Sequence, residues 1–122
     1  MSISRSTLVL GASVKEDRHS NQAIKDLQFY QHPVCAIGAR KGVIGKTPIE
    51  TALIYPTELH TVTLYLSPEK QKPYYNYLLK LHPQRIIFNP GTENKELQLL
   101  AQEAGIATME ACTLVLLRTG QY

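Results

Sequence analysis

Thr7-Leu8-Val9-Leu10 places four apolar or β-branched residues in succession and runs directly into Gly11-Ala12-Ser13. A strand without polar alternation suits the interior of a parallel sheet that is covered on both faces. The polar loop Val14 to His19 follows, and Ser20 opens a run with Ala23, Ile24, Leu27 and Tyr30 at helical spacing. Strand, glycine turn and helix start together form the entrance of a nucleotide-binding α/β unit. Glycine lets a pyrophosphate approach the backbone, and the helix start offers unpaired N–H groups and partial positive charge. The G-x-G-x-x-G fingerprint is absent, so this stretch alone fits a ligand site and a plain βαβ turn equally well.

The rest of the chain repeats the alternation. The sequence predicts strand one over about 6–11 behind a short frayed leader, residues 1–5, and a first helix over about 20–31 with Ser20 as its cap. His32-Pro33 ends that helix, because proline disfavours helix in the residue before it. Val34-Cys35-Ala36-Ile37 reads as strand two, and residues 43–59 as irregular, broken by Gly45, Pro48 and Pro56 with a helical turn near Ile49–Leu53. Strand three is Thr61 to Leu66, closed by Ser67-Pro68. A helix with Pro73 in its first turn follows, then strand four at Arg85–Phe88 and the turn Asn89 to Thr92. Thr92 is the expected cap of the next helix, Gly105 its left-handed stop, and 106–109 strand five. Ala111 to Leu117 is a last short helix or strand, apolar enough for the core or for a homodimer interface.

This pattern predicts one α/β Rossmann-like domain over 1–122: a five-stranded parallel sheet in the order 3-2-1-4-5, with helices on both faces. Its switch point falls between strands one and four, and ligands of such sheets bind outside the carboxyl ends there. At 122 residues with 43% hydrophobic and 19% charged residues, the chain can bury a core without disulfides or metals. A net charge of +3 is too small for a dedicated nucleic-acid binder but enough for a local anion site. No apolar run is long enough for a membrane span, and no signal peptide is apparent. Cys35 and Cys112 lie far apart and match no metal spacing, which reads as a reduced, cytoplasmic protein.

Strand two discriminates among ligands. A site for NAD carries an acid near the end of that strand to hold the ribose hydroxyls. Here the strand ends Gly38-Ala39-Arg40-Lys41, and two cations favour a phosphorylated ribose, as in NADP or coenzyme A. Lys15, Arg18 and Lys46 lie on neighbouring loops and add to the field. A chain of 122 residues is expected to form one domain, without a second to hold a hydride acceptor. Gly11-Ala12-Ser13, Ser20, Gly45, Ser67-Pro68, Gly91 and Cys112, in that order and spacing, resemble the stand-alone CoA-binding proteins. Their Rossmann fold is similar to the CoA-binding domain of succinyl-CoA ligase α subunits. Where that family often has Asn-Pro after strand two, this chain has Gly38-Ala39.

The resemblance implies a CoA or acyl-CoA ligand. It places Gly11, Ala12 and Ser13 at the pyrophosphate, Arg40 and Lys41 at the 3′-phosphate, and Ser67 and Pro68 beside the adenine or ribose. Asn89, Gly91 and Thr92 would line the pantetheine path. The expected sheet order carries its thiol towards Cys112, which fits a mixed disulfide with CoA and a small buried residue at the sheet's edge equally well. No Ser-His-Asp set, carboxylate pair or metal cluster can be assembled from the sequence, which favours a binding module over an enzyme. His32 and His82 read as structural, His60 lies at the wrong end of its strand, and His19 alone faces the site. An NADP-binding regulatory or redox domain, and an interaction module with a vestigial pocket, are the alternatives.

Overall fold

The central strand of the sheet is β1, Thr7–Ala12. Its alternate residues feed two cores. Leu8 and Leu10 join Val62, Leu64, Leu78, Ile86, Phe88 and Leu97 on one side. Val9 and Ala12 join Ile24, Leu27, Ala36, Ile49 and Leu117 on the other. Both faces are dry, so the unbroken apolar run is the expected consequence. The computed structural model describes residues 3–122. Of the leader expected over 1–5, residues 1 and 2 lie outside the described residues. Arg5 is tied down, its N–H donating to His32 Nδ1 at 2.9 Å.

The remaining elements in chain order are α1 (His19–Phe29), β2 (Val34–Gly38), β3 (Gly42–Ile44), β4 (Thr47–Glu50) and β5 (Thr61–Leu64). Then come α2 (Pro68–Gln71), a 3-10 turn over Lys72–Tyr74, α3 (Tyr75–Leu81), β6 (Arg85–Phe88), α4 (Lys95–Glu103), β7 (Ala107–Glu110) and α5 (Thr113–Arg118). The sheet has seven strands in the order β3-β4-β2-β1-β5-β6-β7. All neighbours are parallel except the β3/β4 pair. The architecture is therefore a Rossmann-like α/β sandwich with a mostly parallel sheet.

The expected five-strand order needs correction. The strand at Thr61–Leu64, expected outside β2, lies on the other side of β1, with Thr7 opposite Thr61. The place outside β2 belongs to β4, Thr47–Glu50, which lies within the 43–59 stretch expected to be irregular. Pro48 lacks an N–H and argues against a strand. Here β4 pairs with β2 only beyond it, through Ala36↔Ile49 and Ile37↔Glu50. The reversal point of the sheet thus falls between β1 and β5. From β4 the chain crosses to β5 without a helix, and Ile54 and Leu59 fill that face in its stead. The Tyr77 hydroxyl donates to the Ile54 carbonyl and fastens the crossing.

Two helix starts also move. Helix α1 begins one residue earlier than expected, with Arg18 rather than Ser20 in the cap position. Helix α4 is capped by Asn94, whose side chain accepts from Leu97 N–H, so Thr92 is not its cap. The last apolar stretch is helix α5, lying against α1. It buries Thr113, Leu116 and Leu117.

Candidate functional site

Gly11 shapes the end of β1. Its φ of +99° lies where side chains are strained, and an added Cβ would stand 2.9 Å from the Tyr65 carbonyl. The register against β2 shifts between Leu10 and Ala12, turning the chain out of the sheet. At the end of β2, a Cβ on Gly38 would stand 2.3 Å from the Ala12 carbonyl oxygen. Only glycine lets the two strand ends close up in this way. The loop that follows β1 is braced from within. Ser13 Oγ accepts from Lys15 N–H at 3.1 Å, and Asn21 Nδ2 donates to the Ser13 carbonyl at 3.0 Å.

The result is a cleft of about 660 Å³ at the carboxyl end of the sheet, within the range of small-molecule sites. Residues 11–15 and 17–20, Ala39-Arg40, Tyr65-Leu66 and Lys70 line it. Lys15, Arg18, Arg40 and Lys70 supply four permanent cations, and Asp17 is the one carboxylate in the lining. Among the described residues none of these cations takes part in a salt bridge. No side chain caps α1, and its first turn holds no acid. The Asn21 and Gln22 N–H groups donate to the Arg18 carbonyl, while those of His19 and Ser20, at the positive dipole end, remain available to an anion. Tyr65 forms the cleft wall near Cys112; burial pushes its hydroxyl up to about 12, against the opposing effect of the nearby Thr63 and Thr113 hydroxyls.

Of the residues singled out from the sequence, the fold brings Gly11, Ala12, Ser13, Lys15, Arg18, Ser20 and Arg40 together in the lining. His19 joins them as the first residue of α1. Ser67 and Pro68 sit just outside it, at the cap and first position of α2. Lys41 is exposed next to Arg40 and does not line the cleft. Lys46 does not belong to the site. It occupies the β3–β4 turn beside Gly45, where Gln28 from the far end of α1 donates to the Ile44 carbonyl at 2.8 Å.

The turn after β6 also differs from expectation. Asn89 is buried, donating to Thr63 Oγ1 at 2.7 Å and the Leu64 carbonyl at 2.9 Å, while its Oδ1 accepts from Thr113 N–H at 2.9 Å. Its amide is fully spent on joining β5, β6 and α5. Thr92 is buried too, its hydroxyl donating to the Asn89 carbonyl and its own carbonyl accepting from Gln71 Nε2. Pro90 and Gly91 are the exposed members of that turn. Cys112 is half-buried at the cap of α5, beside Thr113 and close to Tyr65 rather than in the cleft lining. Sequence reasoning missed Lys70. Pro68 at the head of a helix is the signal that places residue 70 in a first turn beside the same cleft.

Strand ends, a glycine-bent turn and a helix start without a side-chain cap surround these cations, and together they define a Rossmann-like domain with a positively charged cleft. The chain belongs to the CoA binding domain family, whose model matches residues 5–118. A crystal structure of an uncharacterized protein is 38% identical over 99% of this chain and 100% of that one, with a TM-score of 0.96. Prb, the PH1109 protein redesigned for binding, superposes with a TM-score of 0.85 at 22% identity, over 98% of this chain and 86% of that one. The dinucleotide-forming acetyl-coenzyme A synthetase 1 of Ca. Korarchaeum cryptofilum shares the fold with a TM-score of 0.71 at 14% identity. That match spans 87% of this chain and 26% of the synthetase. No curated protein matches.

Proposed function

We propose that this chain binds coenzyme A, free or acylated, in the cleft at the carboxyl ends of β1, β2 and β5. The observation that carries the reading is the set of four unpaired cations around one uncapped helix start. A ligand with a pyrophosphate and a further phosphate offers the negative charge that such a site can use. The pyrophosphate lies over Gly11, Ala12 and Ser13, where Lys15, Arg18, Lys70 and the α1 N–H groups near Ser20 converge. Arg40, assisted by Lys41, meets the ribose 3′-phosphate, and Ser67 and Pro68 flank the adenosine. The pantetheine arm passes the exposed Gly91 turn, for which Asn89 and Thr92 serve as scaffold. Its thiol comes within reach of Cys112. In CoA disulfide, the Cys112 thiolate attacks one sulfur and expels the second CoA as thiolate, leaving a mixed disulfide.

The 3′-phosphate contact supplies the test. A charge-assisted hydrogen bond contributes about 1.5–3 kcal/mol. Arg40→Ala should therefore weaken CoA by roughly 10- to 100-fold in calorimetry and leave dephospho-CoA nearly unchanged. Equal losses for the two ligands would move Arg40 away from the 3′-phosphate.

A further inference from the structure

The opposite end of the sheet carries a second basic cluster. Strand register builds it: Thr7 lies opposite both Val34 and Thr61, and Thr61 lies opposite Arg85. Arg5, His32, His60 and Arg85 thus enter at the amino ends of four adjacent strands, β1, β2, β5 and β6. Arg5 Nη1 donates to His60 Nε2 at 2.6 Å, so the proton of His60 sits on Nδ1 and is donated to Thr61 Oγ1, also at 2.6 Å. Arg85 Nε donates to the same Thr61 oxygen at 2.7 Å. His32 Nδ1 accepts from Arg5 N–H, leaving its proton on Nε2. Both imidazoles are neutral in this arrangement, while both guanidiniums keep their charge.

Among the described residues, neither Arg5 nor Arg85 forms a salt bridge. Arg85 Nη2 is buried without a hydrogen-bond partner, and the Arg85 guanidinium lies 4.4 Å from the centre of the Tyr122 ring. Uncompensated cations in a partly desolvated place are costly, and an anion offsets that cost. Space for one is present. A cavity of about 380 Å³ opens here, lined by Arg5, His32, Tyr122 and the apolar surfaces of Ile3, Tyr30 and Leu117. Arg118 also borders it, but that side chain is paired with Asp26 at 2.8 Å.

We infer that this amino-end cavity is a second ligand site, which takes a small organic carboxylate. The carboxylate meets Arg5 and the His32 Nε2–H, with Arg85 adding charge from behind Tyr122. An apolar body of a few carbons packs on Tyr122, Tyr30 and Leu117. Those apolar walls favour an organic acid over a bare inorganic anion, which would leave them wet. The inference is independent of the CoA reading, because the two sites occupy opposite ends of the sheet.

Amide chemical-shift mapping of the whole chain with benzoate, its uncharged isostere benzamide, and inorganic phosphate tests this. Benzoate should give saturable shifts at Arg5, His32, Gly120 and Tyr122 and bind at least tenfold more tightly than either of the others. Arg5→Gln and Arg85→Gln should each weaken benzoate severalfold or more while CoA titrations at the other cleft stay unchanged. Benzamide binding as tightly as benzoate would reduce the site to an apolar hole. Phosphate binding as tightly would reduce it to a counter-ion patch. Either result, or no saturable shift, overturns the inference. The comparison of the three probes needs only the unmodified protein, so it stands even if a variant fails to fold.

Discussion

Asn89→Ala should unfold this protein at markedly lower temperature rather than merely spoil a ligand contact. The side chain is 3% exposed and makes three hydrogen bonds, to Thr63 Oγ1, the Leu64 carbonyl and Thr113 N–H. Each such bond contributes about 0.5–1.5 kcal/mol net, and a buried donor or acceptor left unpaired costs about 1–3 kcal/mol. The expected loss is therefore on the order of 3–5 kcal/mol, a large share of the roughly 5–15 kcal/mol that holds a domain together. Thermal unfolding should show a drop on the order of 10 °C or more. Asn89→Asp sharpens the argument. It keeps an acceptor for Thr113 but turns the amide nitrogen into a carboxylate oxygen facing the Leu64 carbonyl. That variant should be poor at neutral pH and recover partly in acid, where the protonated carboxyl can donate again. A melting temperature for Asn89→Ala within about 2 °C of the parent, with CoA affinity reduced, would refute this reasoning and return Asn89 to the ligand.

Two further outcomes follow from the titratable groups. His32 and His60 both have their pKa lowered below 6.5, first by burial and then by Arg5 and Arg85. The unfolded chain therefore takes up protons at a higher pH than the folded one. Stability should be full above 6.5 and decline as the pH falls below it. Urea midpoints measured from neutral pH downward should show this slope, and His60→Gln should flatten it. The two cysteines should also differ: burial pushes the Cys35 thiol up to about 11, and its Sγ–H donates to the Thr7 carbonyl. Incubation with CoA disulfide, followed by intact mass and peptide mapping, should give one adduct on Cys112 that dithiothreitol reverses. Labelling of Cys35, or of neither while CoA binds, would rule out the mixed disulfide at Cys112.

The sheet's centre could be read from residues because its signals are local. Thr7 to Leu10 is apolar on both faces, Gly11 follows where a positive φ is required, and β5 and β6 are short runs of β-branched and apolar residues. Gly105 likewise takes a φ of +82° just beyond α4. Pairing order is not local. Strand β4 offers four residues containing Pro48, and only its contacts with β2 and β3 make it a strand. Missing it displaced Thr61–Leu64 to the wrong side of β1. The same hairpin carries Lys46 to the far end of the sheet, although in sequence it stands six residues from Arg40. The site residues divide in a similar way. Arg40 and Ser13 follow strand ends and were legible from that position. Asn89 also follows a strand end, but a polar residue there can turn outward to a ligand or inward to the backbone. The inward choice depends on Thr63 and Thr113, 26 and 24 residues away.

On the proposed reading, the cleft at the carboxyl ends of β1, β2 and β5 prefers CoA to other nucleotides. Calorimetry of the whole protein with CoA, NADP, NAD and ATP, side by side at one salt concentration, tests it most directly. CoA should bind at least about tenfold more tightly than each of the others, a gap of about 1.4 kcal/mol or more. NADP binding as tightly as CoA, or tighter, would contradict it.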